Sequence, residues 1–311
     1  MYHLYHPEFY YHTLGPYPPV LTLQSGDTIK TSTVDARGYD ARGEAVTSRG
    51  NPQTGPFAIA GAEPGDTLLV RLERIWPNRR WAWSRSHIAE PIVEPEYVRH
   101  IPEADLVEWE LDLERGVAAV KSPQGVATGL ILPLEPMLGC FGVAPPRHQA
   151  ISTATAGEYG GNMDYRGFVA GTTVYFPVFE PGALLFVGDG HAAQGCGEIL
   201  GTGLEVSMEV EFTVQLLKGR TIRWPRGENS EWIFTVGCGR PLDACVQHAT
   251  TEMLRWLTTD YGLDVPSAHL VLGHGVRYDL GNMYDPAYCM VCKLPKKSLQ
   301  HVAKAIRSER F

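Results

Sequence analysis

Leu204-Glu205-Val206-Ser207-Met208-Glu209-Val210-Glu211-Phe212-Thr213-Val214-Gln215-Leu216 decides the fold class. Apolar residues hold every even position of this run and polar residues every odd one. A period of two belongs to an extended strand with one buried and one wet face, the arrangement of an antiparallel sheet. Just upstream, Thr172 to Phe179, a Glu180-Pro181-Gly182 turn and Ala183 to Val187 predict a hairpin. Short β-branched runs separated by Gly and Pro turns recur at Val20–Leu23, Thr28–Val34, Leu68–Leu72, Leu106–Leu113 and Val117–Lys121. The chain from Pro18 to Leu217 therefore reads as mainly β.

The C-terminal third changes character. Val246, Met253, Leu254, Trp256 and Leu257 recur at helical spacing after Asp243, which predicts a helix capped by that aspartate and ended near Gly262. A shorter helical piece follows Pro266, then a strand around Tyr288–Lys293, and Leu299, Val302 and Ile306 mark a closing amphipathic helix. This divides the chain into a mainly β catalytic region, 1–217, and an α+β portion, 218–311, packed on the same core.

Composition narrows the function. A net charge of −8 argues against general nucleic-acid binding, which needs a basic face. No apolar stretch approaches the ~18 residues of a membrane helix. Met1-Tyr2-His3-Leu4-Tyr5-His6-Pro7 lacks the basic and apolar regions of an export signal. In that setting the six cysteines are expected to be thiols rather than disulfides, and Cys289-x-x-Cys292 reads as two small apolar residues on a strand.

Gly188-Asp189-Gly190-His191-Ala192-Ala193-Gln194-Gly195-Cys196-Gly197-Glu198 concentrates acids, an imidazole, a thiol and an amide among small residues. Asn162-x-Asp164 and Asp189-x-His191 share a spacing that puts both side chains of a pair on one side of an extended strand. The two pairs flank the predicted hairpin, so Asn162, Asp164, Asp189 and His191 are expected to be neighbours. With Glu198 they form an N/O ligand set suited to zinc or another divalent ion, and the carboxylates also admit calcium. Clustered carboxylates repel unless a cation or proton intervenes. The competing mechanism is a Cys196 thiolate paired with His191 as a nucleophile. The carboxylate excess works against it by raising a thiol pKa.

The order and spacing of Gly55-Pro56…Gly61-Ala62-Glu63-Pro64-Gly65-Asp66, Gly160-Gly161-Asn162-Met163-Asp164, Tyr175-Phe176-Pro177-Val178 and the Gly188–Glu198 stretch resemble the acetamidase/formamidase family. The resemblance runs over roughly residues 18 to 295. It implies a cytoplasmic, metal-binding, mainly β enzyme with jelly-roll-like and barrel-like antiparallel parts and a smaller α+β portion. It also implies hydrolysis of short aliphatic carboxamides and assembly into homodimers or larger homo-oligomers. An early acidic motif of the family resembles the surroundings of Asp35, which becomes a further metal-ligand candidate. Two departures stand out: the family usually has Asp where this chain has Cys196, and often His where it has Tyr159.

The resulting expectation is a metal-dependent amidohydrolase. Asp164, Asp189 and His191 hold a divalent ion, zinc or calcium, that acidifies water and polarises the carbonyl. Glu198 is the general base, and Asn162 or glycine N–H groups steady the oxyanion. Hydrolysis of another linear or cyclic C–N bond is a second reading. A third is a non-catalytic β-sandwich that binds a carboxylate or sugar through calcium, a reading favoured by Cys196. On the metal reading Cys196→Ala retains measurable amide hydrolysis, followed as ammonia release. Complete loss together with a trapped acyl-thioester would identify the thiol as nucleophile.

Overall fold

The structure, a computed structural model, describes residues 1–103, 105–121 and 129–299. Val302 and Ile306 of the predicted closing helix lie outside these residues. Strand is the main regular structure of the described chain, with two α-helices of eleven or more residues late in the sequence. None of its helices is long and apolar enough to cross a membrane.

Two large sheets make up the body. The alternating run forms the strand Met208–Leu217, hydrogen-bonded between Thr28–Ser32 and Thr67–Pro77 near one end of a nine-stranded sheet. That sheet continues through Thr173–Pro177 and Arg226–Glu228 to Trp232–Gly239, Tyr288–Pro295 and Arg277–Leu280. Strands on both sides of residue 217 thus share one hydrogen-bonded surface. The second sheet has six strands, centred on Met137–Gly142 and Leu185–His191. A four-stranded piece, Trp81–Arg85 to Ile131–Pro133, stands beside them.

The predicted hairpin does not form. Thr173–Pro177 pairs with Thr67–Pro77 in the first sheet, while Leu185–His191 pairs with Gln53–Ile59 and Met137–Gly142 in the second. Glu180–Leu184 is a crossing between sheets, and Ala183 and Leu184 take left-handed backbone there (φ 58° and 59°). Turn chemistry specified a reversal, but Leu185, Phe186 and Val187 are all fully buried, so the strand gains more by entering a two-sided core.

Aromatic rings join the sheets. Phe57 of the second sheet meets Phe212 of the first edge-on at 5.8 Å, and Phe141 meets Phe176 at 5.4 Å. The C-terminal helices Leu242–Thr259 and Val265–Gly275 cover the far end of the nine-stranded sheet over Met253, Trp256, Leu257 and Leu294. The first helix begins at Pro241 without a side-chain cap, and Asp243 sits inside its first turn rather than at the cap. In the second, Asp264 caps by accepting the Ser267 N–H at 2.7 Å.

Phe141 is fully buried and touches Phe168 and Phe176. Phe141→Ala removes this contact between the sheets and is expected to cost about 3–5 kcal/mol, read from denaturant unfolding. A cost under about 1 kcal/mol would show that the interior there refills easily.

A buried carboxylate and imidazole centre

The strand Met137–Gly142 builds the site. It pairs with Gly160–Asn162 on one side and Leu185–His191 on the other, with Cys140 opposite both Asn162 and Gly188. This shared neighbour, rather than a hairpin, is what brings Asn162 and Asp164 to Asp189 and His191. Gly139 is the point of closest approach. A Cβ there would lie 2.3 Å from Asp164 Oδ1, 2.5 Å from Asp189 Oδ2 and 3.1 Å from His191 Cε1, so only glycine leaves room for the three side chains to converge.

The cluster is larger than the sequence indicated. Asp164, His191 and Glu198 offer ligand atoms within 4.8 Å of one another, and so do Asp189, His191 and Glu205. Asp285 joins them, accepting a hydrogen bond from Asn162 Nδ2 at 2.6 Å. All six side chains are buried. Glu205 escaped notice because it occupies a polar position of the alternating run. That run is half-wet only from Met208 onward; residues 204–207 are covered, and Glu205 exchanges backbone hydrogen bonds with Trp83. Asp285 lies some ninety positions from the motif. The sole signal for it was a polar Asn282–Asp285 loop beside a strand.

Backbone conformation is unusual at the centre. Asn51, Asp164, Asp189 and Glu198 have φ of 56°, 46°, 57° and 47°, half of the eight non-glycine residues with positive φ among those described. Each such residue costs about 1–3 kcal/mol and persists only where its surroundings hold it. Asp189 is therefore not extended, and the side-by-side spacing assumed for Asp189-x-His191 is not the reason the two side chains meet.

Hydrogen bonds fix the imidazole. Gln194 Nε2 donates to the Asp164 carbonyl at 2.6 Å, which turns Gln194 Oε1 toward His191 Nδ1 at 2.7 Å. An amide oxygen only accepts, so Nδ1 carries the proton and Nε2 faces the carboxylates. Nε2 lies 2.9 Å from Glu205 Oε1 and 3.4 Å from Asp189 Oδ1 but makes an aligned hydrogen bond with neither. Seven buried side-chain polar atoms lack a partner among the described residues. Four of them are here: Asp164 Oδ1, His191 Nε2, Glu205 Oε2 and Asn282 Oδ1. Orphaned acceptors around an oriented ring nitrogen are the donor set of a divalent cation site.

Electrostatics agree with that reading. Burial first, and then the charges of Glu198, Asp189 and Asp285, push the Asp164 carboxyl well above its ordinary value. Burial and the Asp285 charge do the same to Glu198. Glu205 is pushed up to about 7 and Asp285 to about 6, in each case mainly by burial. Burial opposes charge on His191, but Glu205 and Asp189 outweigh it and raise the imidazole well above its usual range. Without a cation, protons hold this cluster together.

The other expected site residues have different surroundings. Asp35 does not join the cluster. Its Oδ1 accepts from the Arg37 and Tyr39 N–H groups at 2.9 and 3.0 Å, and its Oδ2 takes the buried Arg79 guanidinium and the Trp83 indole N–H. Every oxygen of Asp35 is thereby engaged. Asn162 is held at both ends, its Oδ1 accepting from Asn51 Nδ2 at 2.6 Å, which leaves one Nδ2–H for the cleft. Cys196 is exposed, outside the ligand groups. Tyr159 is buried in the main core. Among the cysteines, Cys140, Cys238, Cys245, Cys289 and Cys292 are buried thiols.

Above the cluster opens a cavity of about 510 Å³, floored by Asp189, Glu198, Glu205 and Asp285. A two-sheet β protein with a buried carboxylate and imidazole centre under a polar cleft is the class these features define. The Acetamidase/Formamidase family model matches residues 147–241. An acetamidase structure from Yersinia enterocolitica is 30% identical, with 96% of this chain and 93% of that one covered and a TM-score of 0.82. A second structure, a predicted acetamidase/formamidase from Thermoanaerobacter tengcongensis, is 26% identical, covering 97% and 98% of the two chains with a TM-score of 0.83. The acetamidase of Mycolicibacterium smegmatis is 27% identical over 246 residues, 61% of this chain and 58% of that relative. The chain spans between 51% and 61% of the length of the curated relatives it matches. The chain belongs to the acetamidase/formamidase family.

The raised carboxyls make metal-free stability depend on pH. A carboxyl with a raised folded pKa keeps its proton in the folded state after the unfolded chain has released it. Its penalty is absent below the unfolded pKa, near 4, and grows until the folded pKa is passed. With Glu205 near 7 and Asp285 near 6, the chelated protein is expected to lose melting temperature between about pH 4 and pH 7. A divalent ion should restore it most at the upper end. A flat profile under chelation would mean that the carboxyls do not share one buried volume.

Proposed function

We propose that the chain hydrolyses small carboxamides to a carboxylate and ammonia at the Asp189 to Asp285 cleft. The observation that supports this most is the orphaned His191 Nε2 facing unpaired buried carboxylates at the floor of an open cavity. Asp164, Asp189, His191 and Glu205 are the residues that would hold a divalent ion. When bound, such an ion supplies a Lewis acid that acidifies water and polarises an amide carbonyl. One imidazole with carboxylates admits zinc or calcium.

The side chains divide the remaining work. Gln194 keeps the imidazole proton on Nδ1. Asn282 Nδ2 donates to Asp164 Oδ2 at 3.1 Å and orients that carboxylate. Glu198 enters from the turn after Gly197 and lines the cleft, so its carboxylate is placed to accept a proton from the attacking water and return it to the leaving nitrogen. The second Nδ2–H of Asn162 is left to donate a hydrogen bond to the developing oxyanion. Family relatives named acetamidase and formamidase favour amides over other C–N bonds. Cys196, the one feature that favoured a silent binding protein, lies on the surface and leaves the cluster complete.

Glu198→Gln separates base from ligand. On the base assignment, metal content and melting temperature stay near wild type while kcat falls by about 10²–10⁴. Near-normal kcat would remove Glu198 from the mechanism. Lost metal together with lost kcat would make it a ligand.

A further inference from the structure

The walls of the cleft carry charge opposite to its floor. Asp189, Glu198, Glu205 and Asp285 are buried at the bottom, whereas Arg37 and Arg85 are half-buried and Arg49 is exposed along the upper lining. Two of these arginines are held in place. Asp35 fixes the loop that carries Arg37 and accepts the Trp83 indole N–H at 3.0 Å, and the Arg37 guanidinium lies 5.4 Å over the Trp83 ring. Arg85 donates to the Tyr284 hydroxyl at 2.8 Å and lies 4.9 Å over that ring.

Neither these two nor Arg49 meets a carboxylate among the described residues, although Arg79 nearby is paired to Asp35. A guanidinium that is positioned, partly desolvated and unpaired presents a fork shaped for a carboxylate. Acetamide has four heavy atoms and no charge, so it leaves the fork empty. It also underfills a cavity of about 510 Å³, a size within the range of about 300–1,000 Å³ that encloses much larger ligands.

We propose that this site takes amides bearing a carboxylate, of the type of monoamides of short dicarboxylic acids. The amide lies over the acidic floor and the carboxylate lies between Arg37 and Arg85. Arg49, at the outer edge, attracts the anion from solution past the net negative surface. The inference rests on the amidohydrolase reading and specifies its substrate. In the reaction, water adds its oxygen to the amide carbon and the C–N bond breaks. The nitrogen leaves with both its hydrogens and the two protons of water, giving a dicarboxylate and ammonium. Both products are charged, and the arginines stabilise the substrate's existing charge, not the new one.

A plainer account has the arginines only offsetting the acidic floor. The two accounts part on uncharged substrates. Ammonia release from succinamate and from valeramide, its uncharged counterpart, is to be compared in the metal-loaded wild type, Arg37→Met, Arg85→Met and Arg85→Lys. The expected wild-type kcat/KM is at least about tenfold higher for succinamate. Each Met variant should lower that ratio by about tenfold or more, mostly through the KM for succinamate, as loss of a charge-assisted hydrogen bond does. Added salt should raise the succinamate KM and leave that of valeramide in place. Arg85→Lys keeps the charge and loses the fork, so its ratio should fall between wild type and Met. It carries the test if either Met variant fails to fold.

Equal turnover of both amides by wild type, or an equal fall for both in the variants, overturns the anionic-substrate assignment and leaves amide hydrolysis standing. Ammonia from acetamide or formamide but from neither of these two overturns the anionic-substrate assignment alone, and ammonia from none of the four overturns the amidohydrolase reading with it.

Discussion

Five carboxylates and one imidazole converge, buried, at the floor of the cleft, and the rest of the structure answers that constraint. Asp164, Asp189, Glu198, Glu205 and Asp285 cannot all be charged there without positive compensation. Glycine at 139 allows the approach, and left-handed backbone at Asp164, Asp189 and Glu198 turns the side chains inward. Gln194, Asn162 and Asn282 then restrict which atoms point at the centre. The sheets around it are apolar and closely packed, which is what gives these few polar contacts a low-dielectric setting.

Much of the fold was legible in the alternating run and in the turn residues between short β-branched segments. Their period and composition are local properties of the chain. The hairpin at Glu180-Pro181-Gly182 was not, because pairing partners are chosen by burial across the whole core. Leu185, Phe186 and Val187 are apolar on both faces and belong in a strand with neighbours on either side. Asp189 and His191 were visible as unusual residue types in a glycine-rich stretch, and their nearness to Asp164 was anticipated through the wrong geometry. Glu205 was hidden by the pattern itself: polar positions in an alternating strand read as solvent-facing until another strand covers them. Asp285 carried no mark beyond its polar loop, far along the chain from the glycine-rich stretch.

Asp35 shows how one acidic residue can be near a site and serve it indirectly. Its loop lies within reach of the cleft, and its carboxylate is consumed by two backbone N–H groups, Arg79 and Trp83. Sequence alone cannot tell a carboxylate that waits for a cation from one already matched to a buried guanidinium. The distinction rests on Arg79, forty-four positions away.

The strand order has a temporal side. Asn282 and Asp285 arrive on the loop between the last two strands of the nine-stranded sheet, while Asn51 comes from the opening sixth of the chain. During synthesis a chain emerging from the ribosome has every other member of the centre before it has these two. Until they dock, Asn162 lacks its acceptor on Asp285 and Asp164 lacks the Asn282 donor. Native pairings this distant form late, after the entropy of closing long loops has been overcome. A nascent or truncated chain therefore carries an incomplete acidic centre, and the finished site becomes a checkpoint for the folded whole.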